Sequence, residues 1–206
     1  MENKKISKWT WILGIVIVLI LGVAGFSVSK YNMIIEKEET VTTMEANIQT
    51  ALQARLDKIN EMMPSVQGIL DHESEVYKNI AALRSNMKGV QLDENGNLSI
   101  DSKASSQQLE EADASSSQMI RDIHVAIEAY PQLQASSVMQ DFMTSIEGIE
   151  NRLSVARDKY NEAIQDYNTT IRKFPNNVIS KMFGFTTKEK YEASKIAQEA
   201  PSVNFD

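Results

Sequence analysis

Cysteine is absent from the 206-residue chain. Its absence excludes disulfides, catalysis by a thiolate and zinc sites built on cysteine ligands. Proline and glycine are scarce as well, with four and eight residues. So few turn-forming residues favour helices over a turn-rich β fold. Cysteine usage leaves the compartment open, because proteins on either side of a bacterial membrane can do without it.

Basic charge and metal-binding side chains are also in short supply. The chain has 21 Lys and Arg against 28 Asp and Glu, a net charge of −7. Nucleic-acid-binding domains concentrate Lys and Arg, so we expect no nucleic-acid partner. His72 and His124 each lack a Glu three residues earlier, so the Glu-x-x-His pairs of di-iron bundles are missing. With no phosphate loop, nucleophile elbow or zinc signature, we predict no catalytic, cofactor-binding or metal residues and no enzyme.

A long apolar run is present near the N-terminus. No charged residue occurs from Trp9 to Val28, and at about 1.5 Å per residue this run spans a hydrocarbon core of roughly 30 Å. Trp9 and Trp11 lie at one end and Tyr31 just past the other, as interfacial aromatics do. A buried soluble helix and a cleaved signal peptide are the alternatives. The length of the run favours a retained transmembrane helix over residues 9–28.

The charges flanking this run predict its orientation. Lys4, Lys5 and Lys8 precede it, whereas two lysines follow it among acidic residues. The positive-inside rule then places residues 1–8 in the cytoplasm and the bulk of the chain outside, in a single-pass protein of the cell membrane.

A second helical pattern runs from Ser137 to Pro175. Ser137 and Gln140 fit a capping box that opens this helix, and Pro175 ends it. Apolar residues recur every three or four positions, which is the spacing of one helical face. This stripe needs partners from the rest of the chain. It comprises Val138, Phe142, Ile146, Ile149, Leu153, Ala156, Tyr160, Ile164, Tyr167, Ile171 and Phe174.

Three further helices are predicted from apolar spacing, over about 31–60, 62–89 and 105–131. Pro64 suggests a break near residue 60, because proline is tolerated in a first helical turn; a kink is the alternative. Short connections make neighbouring helices antiparallel. The prediction is therefore an all-α protein with an N-terminal transmembrane helix followed by an antiparallel up-and-down four-helix bundle over 29–174.

Residues 88–104 have a different pattern, which indicates a loop or hairpin inserted in the bundle. Apolar and polar residues alternate around Asn95-Gly96, a strong hairpin signal. Asp93, Asn95 and Asn97 also suggest a calcium loop, but the glycine is misplaced and the final glutamate is missing. We therefore expect no calcium site here.

Charged and amide side chains interrupt the apolar stripe of the last helix. Glu150 and Arg157 share a row with Ile164 and Ile171, so they need partners to avoid the cost of an unpaired buried charge. The first two helices offer those partners, and the two asparagines are expected to hydrogen-bond between helices. A structural ion-pair network that fixes helix register is favoured over a binding site. The candidate polar network comprises Arg55, Asp57, Glu73, Glu150, Arg157, Asn161 and Asn168.

Residues 175–206 are predicted to form an amphipathic segment and a C-terminal tail. Val178, Ile179, Met182 and Phe183 fall on one face of a short helix. This candidate membrane-proximal segment either packs against the base of the bundle or lies in the lipid headgroup layer.

Several local sequences resemble the LemA family: Glu150–Arg157, the pairs Tyr160-Asn161 and Tyr167-Asn168, Phe174-Pro-Asn176, Phe183-Gly-Phe185 and Pro201–Phe205. The insertion at 88–104 departs from the family's usual pattern. The resemblance implies a bacterial single-span membrane protein with a helical-bundle domain and no agreed biochemical activity. It therefore supports the fold and the membrane placement without adding a mechanism.

These features favour a non-enzymatic, membrane-anchored scaffold or adaptor in the bacterial cell envelope. Its expected partners are the lipid bilayer, through residues 9–28, and other membrane or envelope proteins. The alternatives are a bundle that senses a small ligand and an enzyme that uses Glu150 and Arg157.

Overall fold

The computed structural model describes residues 8–69 and 75–192, of which helices make up 80%. The chain divides into two compact units. Of the described residues, the first comprises those up to Thr42 together with Ala163–Glu189, and the second comprises those within Thr43–Glu162 together with Lys190, Tyr191 and Glu192. Two long helices, α1 (Lys8–Ile69) and α5 (Ser137–Arg172), contribute residues to both units.

The N-terminal part of α1 exposes its apolar side chains on all sides. Trp9, Val18 and Val28 are 79%, 68% and 59% exposed. Among the described residues, α1 is the one helix long and apolar enough to cross a membrane. A surface that is apolar all round is typical of a helix surrounded by lipid, so α1 indicates a membrane protein.

Pro64 lies inside α1, which continues without interruption to Ile69. The predicted break near Asn60 and the new helix from Met62 are therefore wrong. Proline removes one backbone hydrogen bond but does not by itself end a helix. Here the buried side chains of Met63 and Val66 continue the apolar face across the proline, and their packing maintains the helix.

The first unit packs the end of α5 and the short helix α6 (Asn176–Phe183) against α1. Lys37 and Asp166 form an ion pair at 2.8 Å, with side chains 38% and 54% exposed. Gly184 ends α6 with a φ of +80°, a conformation that glycine adopts without a steric penalty. The core side chains of this unit are Ile34, Val41, Ile164, Tyr167, Ile171 and Ile179.

The second unit contains the rest of α1 and α5 together with α2 (Glu75–Ser85), α3 (Ser106–Ala129) and α4 (Pro131–Gln134). Ser105 and Gln108 form a capping box that opens α3. Side chains from α1, α2, α3, α4 and α5 build one apolar core. Its members include Leu56, Ile59, Met62, Ile80, Met119, Ile123, Leu133, Phe142 and Ile146.

The segment before α3 forms two short strands, β1 (Gln91–Leu92) and β2 (Leu98–Ser99), paired antiparallel. The Asp93 carboxylate accepts hydrogen bonds from the backbone N–H groups of Asn95 and Asn97, at 2.8 and 2.7 Å. These hydrogen bonds within the turn stabilise it. Among the described residues, no group of three or more His, Cys, Asp or Glu side chains is suited to a metal.

Helix α5 buries most of the predicted stripe, from Phe142 to Ile171. Its two ends differ from the prediction, because Val138 and Phe174 are 40% and 82% exposed. The predicted capping box does not form either, since Ser137 is already the first residue of α5 and the backbone N–H of Gln140 donates to the Ser136 carbonyl.

Candidate functional site

A fully buried arginine lies at the centre of the second unit. Arg55 is charged, yet it is 0% exposed and shares one face of α1 with the apolar core residues Leu52 and Ile59. Its Nη1 donates to Asp113 Oδ1 at 2.9 Å and to Ser116 Oγ at 2.8 Å. Its Nη2 lies 2.5 Å from Glu150 Oε1. The charge of Arg55 is thus compensated from both α3 and α5.

Asp113 is the acceptor shared by this cluster. Its side chain is 8% exposed, and Arg157 Nη2 approaches Asp113 Oδ1 to 2.5 Å. The hydroxyl of Tyr191 donates to Asp113 Oδ2 at 2.8 Å. A single carboxylate therefore pairs with two guanidinium groups and a phenol, which is the kind of satisfied arrangement that a buried charge requires.

Tyr191 reaches Asp113 from the chain beyond α6. Its ring packs edge-on against Tyr160, with centroids 6.3 Å apart, and Arg157 lies 5.8 Å from the ring centre. Burial raises the pKa of Tyr191 strongly, and the negative charge and hydrogen bond of Asp113 raise it further. The phenol is thus neutral at physiological pH and acts as a hydrogen-bond donor. We call Arg55, Asp113, Glu150, Arg157 and Tyr191 the buried network.

An asparagine side chain holds the backbone of Tyr191. Asn161 Nδ2 donates to the Tyr191 carbonyl at 3.1 Å, and the Tyr191 N–H donates to Asn161 Oδ1 at 2.8 Å. In the first unit Asn168 binds Lys188 in the same way, at 2.8 and 2.9 Å. An asparagine side chain carries an NH₂ donor and a carbonyl acceptor, so it can pair with the C=O and the N–H of one residue at the same time. We call each pair an asparagine clamp.

These clamps correct the prediction for the two asparagines. The side-chain amides of Asn161 and Asn168 do not join two helices; both bind the backbone of the non-helical segment after α6. Their position at the edge of the apolar stripe explains this role, because the edge is where another segment can lie along α5.

The remaining predicted network residues have three different outcomes. The structure brings together Arg55, Glu150 and Arg157. Asp57 is exposed and accepts a hydrogen bond from Gln53 at 2.8 Å. Its assignment to the network is wrong, because side chains two apart on a helix point in different directions. Glu73 and His72 lie outside the described residues.

Two members of the buried network were not anticipated from sequence. Asp113 interrupts the apolar face of α3 between Leu109 and Met119. A carboxylate at that position in the sequence indicates a buried charge that needs a partner. Tyr191 is a lone aromatic residue within the polar run Lys188-Glu-Lys-Tyr191-Glu. Nothing in that run indicates which partner the tyrosine has.

An open cleft of about 630 Å³ adjoins the buried network between α3 and α5. Both charge signs line it, and the buried Nε2 atom of His124 has no hydrogen-bond partner within the part of the chain that the structure describes. Such a mixed lining suits a small polar ligand that carries both acceptors and donors. The polar lining residues are Asp113, Ser117, Arg121, His124, Thr144, Glu147, Glu150, Asn151 and Arg157.

The candidate membrane-proximal segment divides into two faces. Ile179 is buried within the first unit, whereas Val178 and Met182 are 56% and 66% exposed. Phe183 is 54% exposed, and its ring centre lies 4.8 Å from that of Tyr31. Packing against the unit and exposure of an apolar face thus occur in the same short helix.

The LemA family profile matches residues 44–205. Protein LemA of Metamycoplasma hominis is 23% identical over 181 residues, which cover 87% of this chain and 77% of that protein. Magnetosome protein MamQ 2 of Paramagnetospirillum magneticum is 32% identical over 77 residues, 37% of this chain. Magnetosome protein MamQ of Magnetospirillum gryphiswaldense is 30% identical over a stretch of the same length. That stretch spans only 28% of either MamQ protein.

Proposed function

The chain belongs to the LemA family. We propose that it is a membrane-anchored helical scaffold or adaptor for other proteins of the bacterial envelope. The observation that carries this proposal is the mutual pairing of charges in the buried network. Asp113 and Glu150 pair with Arg55 and Arg157, and Tyr191 donates to the second carboxylate oxygen of Asp113. Charges that pair with one another in this way favour a fixed packing of helices over a reacting site.

The finer architecture is part of the same proposal. The second unit's core draws on α1, α2, α3 and α5, which supports an antiparallel up-and-down four-helix bundle carried by a transmembrane segment at 9–28. The N-terminal lysines favour a cytoplasmic N-terminus and an extracytoplasmic bundle. Protease added outside intact protoplasts then digests the bundle and leaves the span. Full protection of the bundle, with digestion restored on lysis, would reverse this orientation.

Photo-crosslinking in living cells tests the scaffold directly. A crosslinking amino acid is placed at Val125 on α3 or Val155 on α5, which are 64% and 52% exposed, and at the buried Ile123 as control. A scaffold gives discrete adducts at one or both exposed positions and none at the control. The proposal fails if neither exposed position, nor a wider set scanned over the exposed faces of α3 and α5, gives an adduct.

The cleft supports a second candidate function, the binding of a small polar ligand by a sensor bundle. The unpartnered Nε2 of His124 and the mixed charges of the cleft favour it. A ligand that binds only the folded state raises the melting temperature. If a metabolite stabilises the wild type but neither Arg121→Ala nor Glu147→Gln, the sensor replaces the scaffold as the leading function.

An enzyme centred on Glu150 and Arg157 has less support. Both side chains are engaged, Glu150 with Arg55 and Arg157 with Asp113. A general acid or base needs access to the substrate proton that it moves, and an engaged pair must first be broken.

A further inference from the structure

The first unit presents an apolar surface on α6. Val178 and Met182 are four residues apart on that helix, and Phe174 lies in the turn that precedes it. These side chains are 56%, 66% and 82% exposed. We call Phe174, Val178 and Met182 the α6 face. Contiguous exposed apolar side chains mark a contact surface more often than isolated ones do.

The opposite side of α6 is fixed to the unit. Ile179 and Ser180 are buried, and Ser180 Oγ donates to the carbonyls of Ile171 at 3.0 Å and Asn176 at 2.7 Å. The α6 face is therefore held on a packed helix. Because it is already ordered, docking it costs little conformational entropy.

The position of α6 relative to the apolar part of α1 indicates what covers this face. The rings of Phe183 and Phe185 lie 4.8 and 5.6 Å from the ring of Tyr31. Tyr31 follows Val28, the last apolar residue of the uncharged run, by three positions of the same helix, or about 4–5 Å. The interfacial layer beside the hydrocarbon core is roughly 5–8 Å thick. If α1 crosses the bilayer, α6 lies at the depth of the headgroups.

The charges of this region agree with that depth. The two stretches that meet at the contact, 26–35 and 170–187, contain Lys30, Arg172, Lys173 and Lys181 but no acidic residue. Acidic residues of α1 begin at Glu36, farther from the apolar run. Cations next to an apolar face are the pattern of helices that lie in an anionic membrane interface.

We propose that α6 is a second membrane contact, whose face of Phe174, Val178 and Met182 inserts into the headgroup layer of the bilayer that α1 crosses. The proposal rests on the transmembrane assignment of α1. A second contact would fix the orientation of the first unit relative to the membrane, because two points of contact prevent this unit from rotating freely about the α1 axis.

The absence of cysteine permits a direct test with single-cysteine variants of the full chain, each carrying a nitroxide label. The variants Val178→Cys and Met182→Cys report on the α6 face. Val155→Cys is the matched control, since this valine of the second unit is 52% exposed against 56% for Val178. Val18→Cys, 68% exposed, reports on the span. The protein is reconstituted in vesicles of phosphatidylcholine and phosphatidylglycerol, and label accessibility to oxygen and to a water-soluble nickel complex is compared.

The proposal expects high oxygen and low nickel accessibility at Val178 and Met182, intermediate between the values at Val18 and Val155. Labels at Val178 and Met182 as accessible to nickel as the label at Val155 would overturn it while leaving the transmembrane assignment intact. Protection from both reagents would also overturn it, because a protein partner or a second copy would then cover the face. A water-accessible label at Val18 would overturn the transmembrane assignment itself.

Discussion

The two units use the same asparagine clamp to hold the chain after α6, but with different partners. In the second unit the clamp at Asn161 holds Tyr191, whose hydroxyl binds the buried Asp113. In the first unit the clamp at Asn168 holds Lys188, whose ammonium lies 3.1 Å from Glu38. The side chains of Lys188 and Glu38 are 35% and 34% exposed. The same pair of amide-to-backbone hydrogen bonds thus positions a buried side-chain interaction in the second unit and a partly exposed one in the first.

The difference matters because burial, more than the number of ion pairs, decides how much a charge affects stability. Surface pairs contribute about 0–1 kcal/mol, since water screens them, whereas breaking a buried pair costs about 3–5 kcal/mol because a charge remains unpaired. The second unit should therefore be sensitive to changes in its charged residues and the first unit largely insensitive.

Removal of the central carboxylate gives the largest expected effect. Asp113→Ala leaves Arg55 and Arg157 without their shared acceptor, and we expect a loss of about 3–5 kcal/mol in the free energy of unfolding. Denaturant unfolding of the full chain in detergent measures it. Asp166→Ala, which breaks the exposed pair with Lys37, is the matched control and should change little. Equal effects of the two substitutions would remove the contrast between the units.

Core truncation on α5 is expected to come next. Leu153 and Tyr160 are 0% and 4% exposed, and Leu153→Ala or Tyr160→Ala should each cost roughly 2–5 kcal/mol through lost contacts and an unfilled cavity. Val155→Ala, on the exposed side of the same helix, serves as control. Wild-type stability of both core variants would show that the stripe faces something other than a core.

The fold was largely predictable, because helical periodicity records burial directly. The buried stripe of α5 from Phe142 to Ile171 follows from the spacing of its apolar residues. The continuity of α1 through Pro64 does not, since packing of Met63 and Val66 outweighs the local preference of proline.

The site was only partly predictable. A charge within an apolar row indicates that a partner exists, which led to Glu150 and Arg157, and the predicted topology added Arg55, Asp57 and Glu73 as possible partners. It does not identify the partner, and Asp113 was therefore missed. The clamps join residues 20 and 30 positions apart, and no local pattern specifies such pairings.

A comparison of the two clamps gives a smaller effect. Asn161→Ala leaves the backbone groups of the buried Tyr191 without their partner, and we expect a loss of about 1–3 kcal/mol. Asn168→Ala should cost less, because Lys188 is partly exposed and water can replace the lost bonds. Thermal unfolding of both variants checks the order. A larger loss for Asn168→Ala would contradict the assignment of the buried partner to Asn161.

The smallest effect concerns the Tyr191 hydroxyl. Tyr191→Phe should cost about 1.5 kcal/mol near neutral pH, the lower end for a hydrogen bond to a charged group, because Asp113 keeps its two guanidinium partners. Because folding raises the pKa of Tyr191 above its usual value near 10, this contribution is complete below pH 10 and is lost as the pH rises above it. Tyr160 and Tyr167, whose pKa values burial also raises, are present in both proteins and cancel in the difference. Stability curves against pH should therefore converge above pH 10; a constant gap would show that the hydroxyl does not act through its proton.

A double-mutant cycle between Asp113 and Arg157 tests most directly whether the second unit contains one connected internal network. The free energy of unfolding is measured for the wild type, Asp113→Ala, Arg157→Ala and the double variant, with exposed Arg152→Ala as a parallel partner for Asp113→Ala. Residues in contact within one network couple by about 0.5–3 kcal/mol, whereas distant residues add within about 0.3–0.5 kcal/mol. The account predicts a coupling of at least about 1 kcal/mol for Asp113 with Arg157 and additivity for Asp113 with Arg152. Additivity in both cycles would contradict it.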